Sequence, residues 1–553
     1  MSELALFHHL HDYLAHHART RGSQEAVVCG GTRLTYAELL ARVHACASGL
    51  IAAGIQPGDR VATLCGMRSE YLIVFLATSM VGGVWMGLNP RYSLRELKHI
   101  IADGKPKLLF AAPRFAERDL KDEIVGLVAD ASGLERIIIF DGAAIEGDKF
   151  VSFAAFTAAC CEPRELQRRS DARLGRDPVL LIYTSGTTGK PKGALLTHEG
   201  LIARALTQNR VWPCDPIRVV NHLPINHIGG VGFISIYCLI GGGTQFLDEK
   251  FEPGQFIARL TSDQITIWVS MPTIVLMVLD HPDFTPDRHP GLQWVVWSGA
   301  ALPSSAIRTL RSIGCCLGSS YGLTESSGSV CYAESSLDDE TLSRTIGRAV
   351  PAGEVRLADA EGNPVTPGLA GEIQLRPEWA MKGYLGREDA SRDALTEDGF
   401  VRTGDIGRED ENGCIELVGR LREMFKSGGY NIYPREIEIA IELHPLVASC
   451  AVVPMPDPLY QEVGLAFVQP TLQGQLDSAE LRSWCAVRLA NYKIPKQFRM
   501  VDQLPVLSIG KVDRHALRAL AASSSYSNAA PETTLAAMAP DSKRATSVTR
   551  TAS

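Results

Sequence analysis

Apolar and polar positions in the first hundred residues follow helical and strand periodicities in turn. Thr35 and Glu38 form a capping box, and apolar residues with helical spacing follow it as far as Gly54, so this pattern predicts a helix. Ser93 and Glu96 form a second capping box. The other predicted elements are strands at residues 60–65, 84–88 and 108–112 and a helix at residues 69–80. This order predicts an α/β fold with helices packed on mainly parallel sheets.

The pattern changes near Gly419, where charged residues and glycines crowd one short segment between two ordered regions. We interpret this segment as a hinge. Beyond it, a helix that begins at Pro434, strands at residues 447–453 and 464–468 and a helix at residues 478–489 predict a small α+β domain. The predicted division is a large domain at residues 1–419, a small mobile domain at residues 420–521 and a disordered tail at residues 522–553.

Two long uncharged runs raise the question of a membrane span. Residues 71–90 approach the length of a spanning helix, but Gly82 and Gly83 interrupt them. Residues 227–247 contain six glycines, which we expect to break a helix several times. Both runs therefore predict buried helix and strand pieces, with no transmembrane segment.

Composition and charge narrow the classes of function. The 553 residues include 55 basic and 62 acidic side chains, a formal net charge of −7, so the sequence indicates no polycationic surface for nucleic acid. The 13 cysteines form no C-x-x-C pair, and residues 1–17 hold five histidines without the apolar core of a secretory signal. We expect a reducing, cytoplasmic location.

Residues 183–193 follow an apolar strand and have a composition that suits phosphate. Their hydroxyl groups are donors, their glycines let backbone N–H groups approach oxygen atoms closely, and Lys190 and Lys192 supply charge. The segment is not a Walker A loop, because that spacing is absent and Pro191 follows the first lysine. On composition alone, a polar surface loop is the alternative.

Other residues suit nucleotide chemistry. Tyr321 has a flat ring that can stack on adenine, and Thr324 and Glu325 can reach a phosphate and its Mg²⁺. Asp405 follows Thr-Gly at a turn, where its carboxylate can accept hydrogen bonds from both ribose hydroxyls. Arg420 can hold ribose or phosphate. Taken singly, packing, a turn aspartate or a surface salt bridge explains these residues better.

Seven motifs occur in order, at residues 183–193, 224–230, 298–303, 321–325, 403–405, 419–420 with 426–429, and 510–511. Through them the sequence resembles the adenylate-forming enzymes, which include acyl-CoA synthetases, adenylation domains of peptide synthetases and firefly-type luciferases. The resemblance implies a large N-terminal domain of mainly parallel sheets flanked by helices, a smaller β subdomain and a small mobile α+β C-terminal domain. It also implies ATP and CoA as co-substrates and Mg²⁺ as cofactor.

The resemblance gives individual residues a role. The implied nucleotide-binding residues are Thr184, Ser185, Gly186, Thr187, Thr188, Gly189, Lys190, Tyr321, Gly322, Asp405 and Arg420. The implied catalytic residues are Lys511, Thr324 and Glu325, and the implied metal-binding residues are Glu325 and Thr184. Lys511 would bridge the substrate carboxylate and the α-phosphate. The implied hinge residue is Arg422, where related enzymes carry Asp or Lys.

The acceptor and acyl sites follow from the same resemblance. The implied CoA-binding residues are Lys426, Ser427, Gly428, Gly429 and Tyr430, and Tyr430 stands where acyl-CoA synthetases often carry Glu. The implied acyl-binding residues are His227, Trp297, Gly299, Ala300 and Ala301. Amino-acid-activating relatives carry a Phe-Asp pair at the position of His227, so an amino-acid substrate is disfavoured. A satisfied core histidine is the alternative for this residue.

The prediction is an AMP-forming acyl-CoA synthetase, an acid–thiol ligase. It would convert a fatty or aryl acid into an acyl-adenylate with ATP, transfer the acyl group to CoA and release AMP and pyrophosphate. A stand-alone enzyme that loads an acyl group onto a carrier protein is the alternative. The implied partners are the carboxylic acid, ATP and CoA. The identity of the acid, the pathway and the oligomeric state stay open, with a homodimer as one option.

Overall fold

The computed structural model describes residues 6–130, 133–142, 145, 147–159, 161–184, 191–376, 378–471, 476–506 and 512–523. Residues 185–190 of the predicted phosphate loop and Lys511 lie outside the described residues. Among the helices described, none combines the length and the apolar character that a bilayer span demands.

The helices are distributed along the whole described chain. They are α1 Leu10–Thr20, α2 Tyr36–Ala52, α3 Ser69–Val81, α4 Leu94–Gly104, α5 Lys121–Asp130, α6 Phe153–Thr157, α7 Pro163–Asp171, α8 His198–Val211, α9 Tyr237–Gly241, α10 Pro253–Ser262, α11 Pro272–Leu279, α12 Ser304–Arg311, α13 Asp339–Arg344, α14 Glu388–Asp393, α15 Pro434–Glu442, α16 Ser478–Ala486 and α17 Arg514–Ser523. Short 3₁₀ turns lie at Phe140–Gly142, Pro286–Arg288 and Asn491–Lys493, and a π-helix at Gly229–Ile236 runs directly into α9.

The strands alternate with these helices in the first half of the chain and cluster in the second. They are β1 Glu25–Cys29, β2 Thr32–Thr35, β3 Arg60–Leu64, β4 Val84–Leu88, β5 Leu108–Ala111, β6 Arg114–Phe115, β7 Arg118–Asp119, β8 Arg136–Ile139, β9 Phe150–Ser152, β10 Pro178–Thr184, β11 Lys192–Thr197, β12 Arg218–Asn221, β13 Thr244–Leu247, β14 Ile267–Ser270, β15 Trp294–Ser298, β16 Cys316–Leu323, β17 Gly328–Ala333, β18 Arg348–Ala349, β19 Val355–Ala358, β20 Ala370–Leu375, β21 Gly383–Tyr384, β22 Val401–Glu409, β23 Ile415–Arg420, β24 Phe425–Ser427, β25 Tyr430–Ile432, β26 Val447–Asp457, β27 Gln461–Pro470 and β28 Gln497–Met500.

Two large sheets form the main body of the protein. One has nine strands in the order β18-β17-β16-β15-β14-β12-β13-β1-β2, and the other has eight in the order β21-β11-β10-β4-β3-β5-β8-β9. The central strands of both sheets pair in parallel. Antiparallel strands lie at both ends of the nine-stranded sheet and at the β21 end of the eight-stranded sheet, whereas β9 at its other end pairs in parallel. The α/β prediction with mainly parallel sheets is confirmed.

Helices fill the space between the two sheets. The largest hydrophobic core joins Val27 of the nine-stranded sheet and Trp85 of the eight-stranded sheet to Leu39, Phe75 and Leu201 of α2, α3 and α8. Separate cores cover the outer faces, one with α10 to α12 and the other with α4 and α5. Burial of this apolar surface is the main force that holds the two sheets together.

Two smaller sheets follow along the chain. Strands β19, β20, β22 and β23 form an antiparallel sheet that ends at Arg420, and β24 to β28 form a separate five-stranded sheet flanked by α15, α16 and α17. The first corresponds to the implied β subdomain and the second to the predicted small α+β domain. The change from one sheet to the next falls between Arg420 and Phe425, at the segment interpreted as a hinge.

Local sequence signals explain the helix starts. Both predicted capping boxes form, with the Thr35 and Ser93 side chains accepting hydrogen bonds from the backbone N–H groups of Glu38 and Glu96. The uncharged run at residues 71–90 becomes α3 and β4, as predicted.

Two expectations about helix ends are wrong. The glycine-rich run at residues 227–247 does not break its helix repeatedly, because the chain stays helical from Gly229 to Gly241. A Cβ atom at Gly230 would lie 2.6 Å from the oxygen of Pro224, so the missing side chain permits close packing. Helix α17 runs to Ser523 because Leu517 is buried against the sheet, so residues 522 and 523 are helical. The rest of the predicted tail lies outside the described residues.

Candidate functional site

The ends of two strands from different sheets meet at Glu325. Strand β10 of the eight-stranded sheet ends at Thr184, whose Oγ1 lies 3.5 Å from Oε1 of Glu325. Tyr384 of β21 donates a hydrogen bond to the same Oε1 at 2.8 Å. Glu325 itself lies in the turn between β16 and β17 of the nine-stranded sheet. Thr184, the residue of the predicted phosphate loop at which β10 ends, therefore lies beside this carboxylate.

The turn that carries Thr324 and Glu325 is held rigidly. A Cβ atom at Gly322 would lie 2.1 Å from the oxygen of Gly328, so this position requires glycine. Arg204 of α8 donates from Nε to the backbone oxygen of Ser326 at 2.9 Å. The buried turn and its buried arginine fix the backbone on both sides of Glu325.

Arg204 has a second buried partner. Its Nη1 lies 2.7 Å from Oε1 of Glu354, and the two side chains are 5% and 3% exposed. Burial raises the pKa of Glu354, and the arginine opposes that shift. The ion pair therefore anchors α8 to the segment before β19 and, through Ser326, to the turn.

Tyr321, Asp405 and Arg420 form a second group of partners. The Tyr321 hydroxyl donates to Oδ2 of Asp405 at 2.7 Å, and Nε of Arg420 lies 2.9 Å from Oδ1. Asp405 and Arg420 face each other across β22 and β23, so the strand register itself produces the ion pair. The carboxylate is 2% exposed but keeps lone pairs for further donors, as the ribose role of Asp405 requires.

The ionisation states at the site follow from burial and charge. Burial raises the pKa of Tyr321 well above its ordinary range, and the neighbouring Asp405 adds to this shift. Burial and Glu325 likewise raise the pKa of Tyr384, whereas Arg422 acts in the opposite direction. Both tyrosines therefore stay protonated donors. Asp405 raises the pKa of Arg420, so the arginine stays charged.

Two cationic side chains lie near Tyr384, the partner of Glu325. Nζ of Lys192 lies 5.2 Å from the centre of the Tyr384 ring, and the exposed Arg422 is close enough to influence that tyrosine electrostatically. A polyphosphate bound beside Thr184 and Glu325 would lie near these positive charges. Glu325 and Thr184 present carboxylate and hydroxyl oxygens, the hard ligands that suit Mg²⁺, so the residues fit the implied cation.

The residues implied for the acyl site lie at the carboxyl ends of parallel strands. His227 follows β12 in a turn, where its Nδ1 accepts a hydrogen bond from the Gly229 N–H at 3.0 Å. Gly299 follows β15 with φ of +91°, and the nearest atom to a Cβ there would be Cε of Met271 at 3.9 Å. Ala300 is exposed and Ala301 half-buried. This sheet edge is the usual place for ligands in open α/β sheets.

Trp297 lies elsewhere. It is 1% exposed and packs in the hydrophobic core that α10 to α12 form on the outer face of the nine-stranded sheet. The backbone of Trp297 lies one residue before Ser298, where the strand ends. Its ring packs in the outer-face core and not beside Gly299. Its acyl-binding role stays a prediction.

Sequence reasoning missed one residue of the site. Tyr384 reaches Glu325 only because β21 pairs with β11, opposite Ala194, and no local pattern around it signals that pairing. His222, directly after β12, is not part of the site, because its ring packs against Phe251 and Phe256 of the outer-face core.

The implied CoA-binding segment is a tight hairpin. Strands β24 and β25 are joined by Gly428 and Gly429, whose φ angles of +55° and +87° give the two-residue turn that suits strand twist. Ser427 is buried, Lys426 is exposed, and Tyr430 stacks on Tyr492 with 4.3 Å between ring centres. The hairpin tip therefore offers backbone without side chains.

Lys511 and residues 185–190 lie outside the described residues, so their assignments stay predictions. The described residues that the structure brings together are Thr184, Glu325 and Tyr384 in one group and Tyr321, Asp405 and Arg420 in another. Tyr321 and Glu325 lie on one hairpin, which links the two groups. The hairpin at residues 425–432 is separate from both in sequence and in sheet.

Known proteins match almost the whole chain. The family model described as AMP-binding enzyme matches residues 14–385, and that of the AMP-binding enzyme C-terminal domain matches residues 436–511. A feruloyl-CoA synthase from Amycolatopsis sp. is 35% identical over 90% of this chain and 95% of its own length. An indoleacetate–CoA ligase from Aromatoleum aromaticum is 31% identical over 94% of this chain and 99% of its own.

Solved structures agree with this relationship. The crystal structure of ATP-bound MatB from Rhodopseudomonas palustris superposes with a TM-score of 0.80 at 28% identity, covering 93% of this chain and 99% of the other. The anthranilate CoA ligase AuaEII, at 23% identity and a TM-score of 0.83, supports the fold alone. With family models over most of its length and CoA ligases among its relatives, the chain belongs to the AMP-binding enzyme family, as an acid–thiol ligase of the acyl-CoA ligase type.

Proposed function

We propose that this ligase activates an aromatic carboxylic acid with ATP and transfers the aroyl or arylalkanoyl group to CoA. The observation that carries the proposal is the meeting of Thr184, Glu325 and Tyr384 beside the Tyr321–Asp405–Arg420 group. One group suits a polyphosphate with its cation, and the other suits a nucleoside. Together they fit ATP bound across the junction of the two large sheets.

The chemistry proceeds in two balanced steps. A carboxylate oxygen attacks the α-phosphorus of ATP, the bond to the β-phosphate breaks, and pyrophosphate leaves. The CoA thiol then loses its proton and attacks the acyl carbon, and AMP leaves as the thioester forms. The first step gives the acyl carbon a good leaving group, AMP, in place of the oxide of the free carboxylate, and the second step uses that leaving group.

The chain's residues hold the reactants during the first step. Asp405 accepts hydrogen bonds from ribose hydroxyls, Tyr321 lies against the base, and Arg420 keeps the Asp405 carboxylate in place. Mg²⁺ at Glu325 and Thr184 would neutralise phosphate charge. By the resemblance, Lys511 would bridge the attacking carboxylate and the α-phosphate, where negative charge builds up.

Two observations favour an aromatic acid over a fatty acid. A relative at 35% identity is named for a feruloyl substrate and one at 31% for indoleacetate, whereas a long-chain-fatty-acid–CoA ligase from Thermus thermophilus is also 31% identical. In this chain, Gly299 and Ala300 leave one wall of the strand edge without bulky side chains, which leaves room for a ring.

Purified full-length protein tests the proposal with two assays in parallel. Acid-dependent exchange of pyrophosphate into ATP reports the first step, and CoA-dependent AMP release reports both. The acids are benzoate, cinnamate, ferulate, indoleacetate and a linear series from acetate to palmitate. We expect aromatic acids to give the highest rates. Lys511→Ala should lower the exchange rate by about 10²-fold, whereas the exposed Lys121→Ala should leave it unchanged.

The outcomes separate the parts of the proposal. Absence of acid-dependent exchange with every acid would contradict adenylation. Faster turnover of linear acids would retain the reaction and overturn the aromatic class. Exchange that depends on Lys511 without any CoA-dependent turnover would favour the alternative acceptor, a carrier protein.

A further inference from the structure

The turn that carries His227 is closed by one buried side chain. Asn221 is the last residue of β12 and is fully buried. Its Oδ1 accepts a hydrogen bond from the Leu223 N–H at 3.2 Å, and its Nδ2 donates to the backbone oxygen of Gly230 at 2.9 Å. A single amide therefore bonds to the backbone at both ends of residues 223–230, which we call the His227 turn.

The partners of the Asn221 amide determine its orientation. A backbone N–H only donates and a backbone oxygen only accepts, so Oδ1 must face Leu223 and Nδ2 must face Gly230. The second proton of Nδ2 is directed at Oγ of Ser235 in the π-helix, 2.9 Å away. Because the amide is buried, loss of any of these bonds would leave a polar group unpaired away from water.

Ser235 holds this amide in place. Its hydroxyl donates to Oε1 of Gln245 on β13 at 2.8 Å, which uses its only proton. Its two lone pairs accept from Nδ2 of Asn221 and from the hydroxyl of Tyr71 on α3. The four side chains are at most 2% exposed. The hydroxyl is therefore saturated, and the network joins β12, β13, α3 and the π-helix.

The His227 turn also contacts the eight-stranded sheet and the segment after it. A Cβ atom at Gly87 of β4 would lie 2.4 Å from the oxygen of Ile225, so backbone packs directly against backbone there. Nδ2 of Asn226 donates to the Tyr92 hydroxyl at 3.1 Å. Residues from both large sheets therefore hold the turn, and Asn221 is a residue that bonds to both of its ends.

Inside the turn, the backbone orients the His227 ring. The Gly229 N–H donates to Nδ1 at 3.0 Å, so Nε2 carries the proton of the neutral ring. The Gly230 N–H donates to the backbone oxygen of His227 at 3.1 Å. His227 is half-buried, whereas Asn221 is fully buried. A ligand could thus reach the histidine, and Asn221 could affect that ligand only through the turn.

We propose that Asn221 is a positioning residue for the acid: by closing the His227 turn, it sets the place at which the Nε2–H group of His227 meets the substrate carboxylate. This inference rests on the proposed function and on the acyl-site role that the resemblance implies for His227. Misplacement of such a group by about 1 Å can lower a rate by about 10²-fold. The residues proposed to bind ATP lie on β10, the β16–β17 hairpin, β22 and β23, so their geometry should not depend on Asn221.

Acid-dependent pyrophosphate exchange by the full-length protein tests this inference, with the fastest acid among benzoate, cinnamate, ferulate, indoleacetate and the linear series. Asn221→Leu keeps the branched shape of the side chain and removes its three hydrogen bonds. We expect it to raise the KM for the acid by at least about tenfold and to change the KM for ATP by less than about twofold. A purely structural role would lower the amount of folded enzyme and leave both KM values unchanged.

Asn209→Leu is the matched control. Asn209 is a buried asparagine of α8, and its Nδ2 also donates to two oxygens, those of Ala205 at 2.8 Å and Tyr237 at 3.1 Å. Both partners lie outside the His227 turn. We expect this variant to have wild-type KM values for the acid and for ATP.

Ser235→Ala is a milder second variant. It removes one partner of the Asn221 amide but leaves the bonds to Leu223 and Gly230 in place. We expect the KM for the acid to rise by about threefold, as for the loss of one buried hydrogen bond. If Asn221→Leu does not fold, a wild-type KM for the acid in Ser235→Ala would overturn the inference.

A double-mutant cycle shows whether Asn221 acts through the histidine. His227→Ala should itself raise the KM for the acid, and adding Asn221→Leu should cause little further rise. Equal KM values for the acid in Asn221→Leu and Asn209→Leu, a parallel rise in the KM for ATP, or multiplied effects in the double variant would overturn the inference. Absence of exchange by the wild type with every acid would instead overturn the proposed function, and this inference with it.

Discussion

Around Tyr321 and Asp405, polar side chains are held by partners from other strands, whereas the hairpin of β24 and β25 extends two glycines and an exposed tyrosine from its sheet. Tyr321 and Asp405 are 8% and 2% exposed, and Tyr430 is 56% exposed. The first region has its geometry fixed before a ligand arrives, and the second leaves backbone accessible. The charged groups with fixed positions and the backbone that is accessible to a ligand therefore lie in different parts of the chain.

Removing the arginine behind the Glu325 turn should have the largest effect on the buried region. Arg204→Met leaves Glu354 buried without its partner and should lower the free energy of unfolding by about 3–5 kcal/mol. Chemical denaturation with urea measures this loss. A loss below about 1 kcal/mol would show that the buried region is less rigid than the structure indicates.

The double substitution Arg204→Met with Glu354→Gln separates stability from positioning. It also removes the Glu354 charge that Arg204→Met leaves buried without a partner, so most of the lost free energy of unfolding should return. The Ser326 oxygen still lacks its donor, so the rate of pyrophosphate exchange should stay below that of the wild type. Full recovery of both quantities would assign Arg204 to stability alone.

Glu325→Gln addresses the same region through its charge. Loss of the carboxylate that would hold Mg²⁺ should lower pyrophosphate exchange by about 10²-fold, with little change in the free energy of unfolding. The exposed Glu361→Gln is the matched control and should exchange at the wild-type rate. Equal rates in the two variants would remove Glu325 from the site.

Acid should destabilise the protein through buried histidines that lie outside both regions. Burial lowers the pKa of His222 and of His17 to about 4. Between pH 6.5 and 4 the unfolded chain binds more protons than the folded one, so the free energy of unfolding falls as the pH falls and levels off below 4. Each histidine contributes a slope of up to about 1.4 kcal/mol per pH unit.

Urea denaturation at several pH values measures that slope, and His222→Gln should reduce it by about the contribution of one histidine. The same slope in the variant and the wild type would show that His222 is protonated without cost in the folded protein.

The smallest expected effect concerns the accessible hairpin. Gly429→Ala forces a side chain onto a φ of +87°, which costs about 1 kcal/mol, and we expect about a fivefold slower thioester step with unchanged pyrophosphate exchange. Gly362→Ala introduces similar strain at a φ of +90° in another open turn and should leave both rates unchanged. An equal decrease in the rates of pyrophosphate exchange and of the thioester step in Gly429→Ala would mean that the two regions do not act separately.

The sequence predicted those parts of the fold that depend on local signals. The capping boxes at Thr35 and Ser93 form because their partners lie three residues away, and the alternation of strands and helices produces parallel sheets. The expectation that the glycines after His227 break the helix is wrong. A glycine within a helix usually lowers its stability, but here the missing side chain permits close packing against Pro224. That contact is set by tertiary structure.

The candidate site divides in the same way. Asp405 and Arg420 could be singled out by their motifs, but their direct contact depends on the register of β22 and β23. Tyr384 and the pair of Arg204 and Glu354 depend on contacts between residues 59 and 150 positions apart, which no periodicity reveals. The resemblance supplied residue roles, and the structure supplied the side chains that hold them.

The two glycines at the hairpin tip have a consequence for how this protein can change over generations. Gly428 and Gly429 occupy φ angles that other residues adopt poorly, so few substitutions are tolerated at these two positions. Lys426 and Tyr430, which flank the tip and are exposed, carry no such restriction. Any adaptation of this hairpin to a new acceptor is therefore confined to the residues that flank the tip, such as Lys426 and Tyr430.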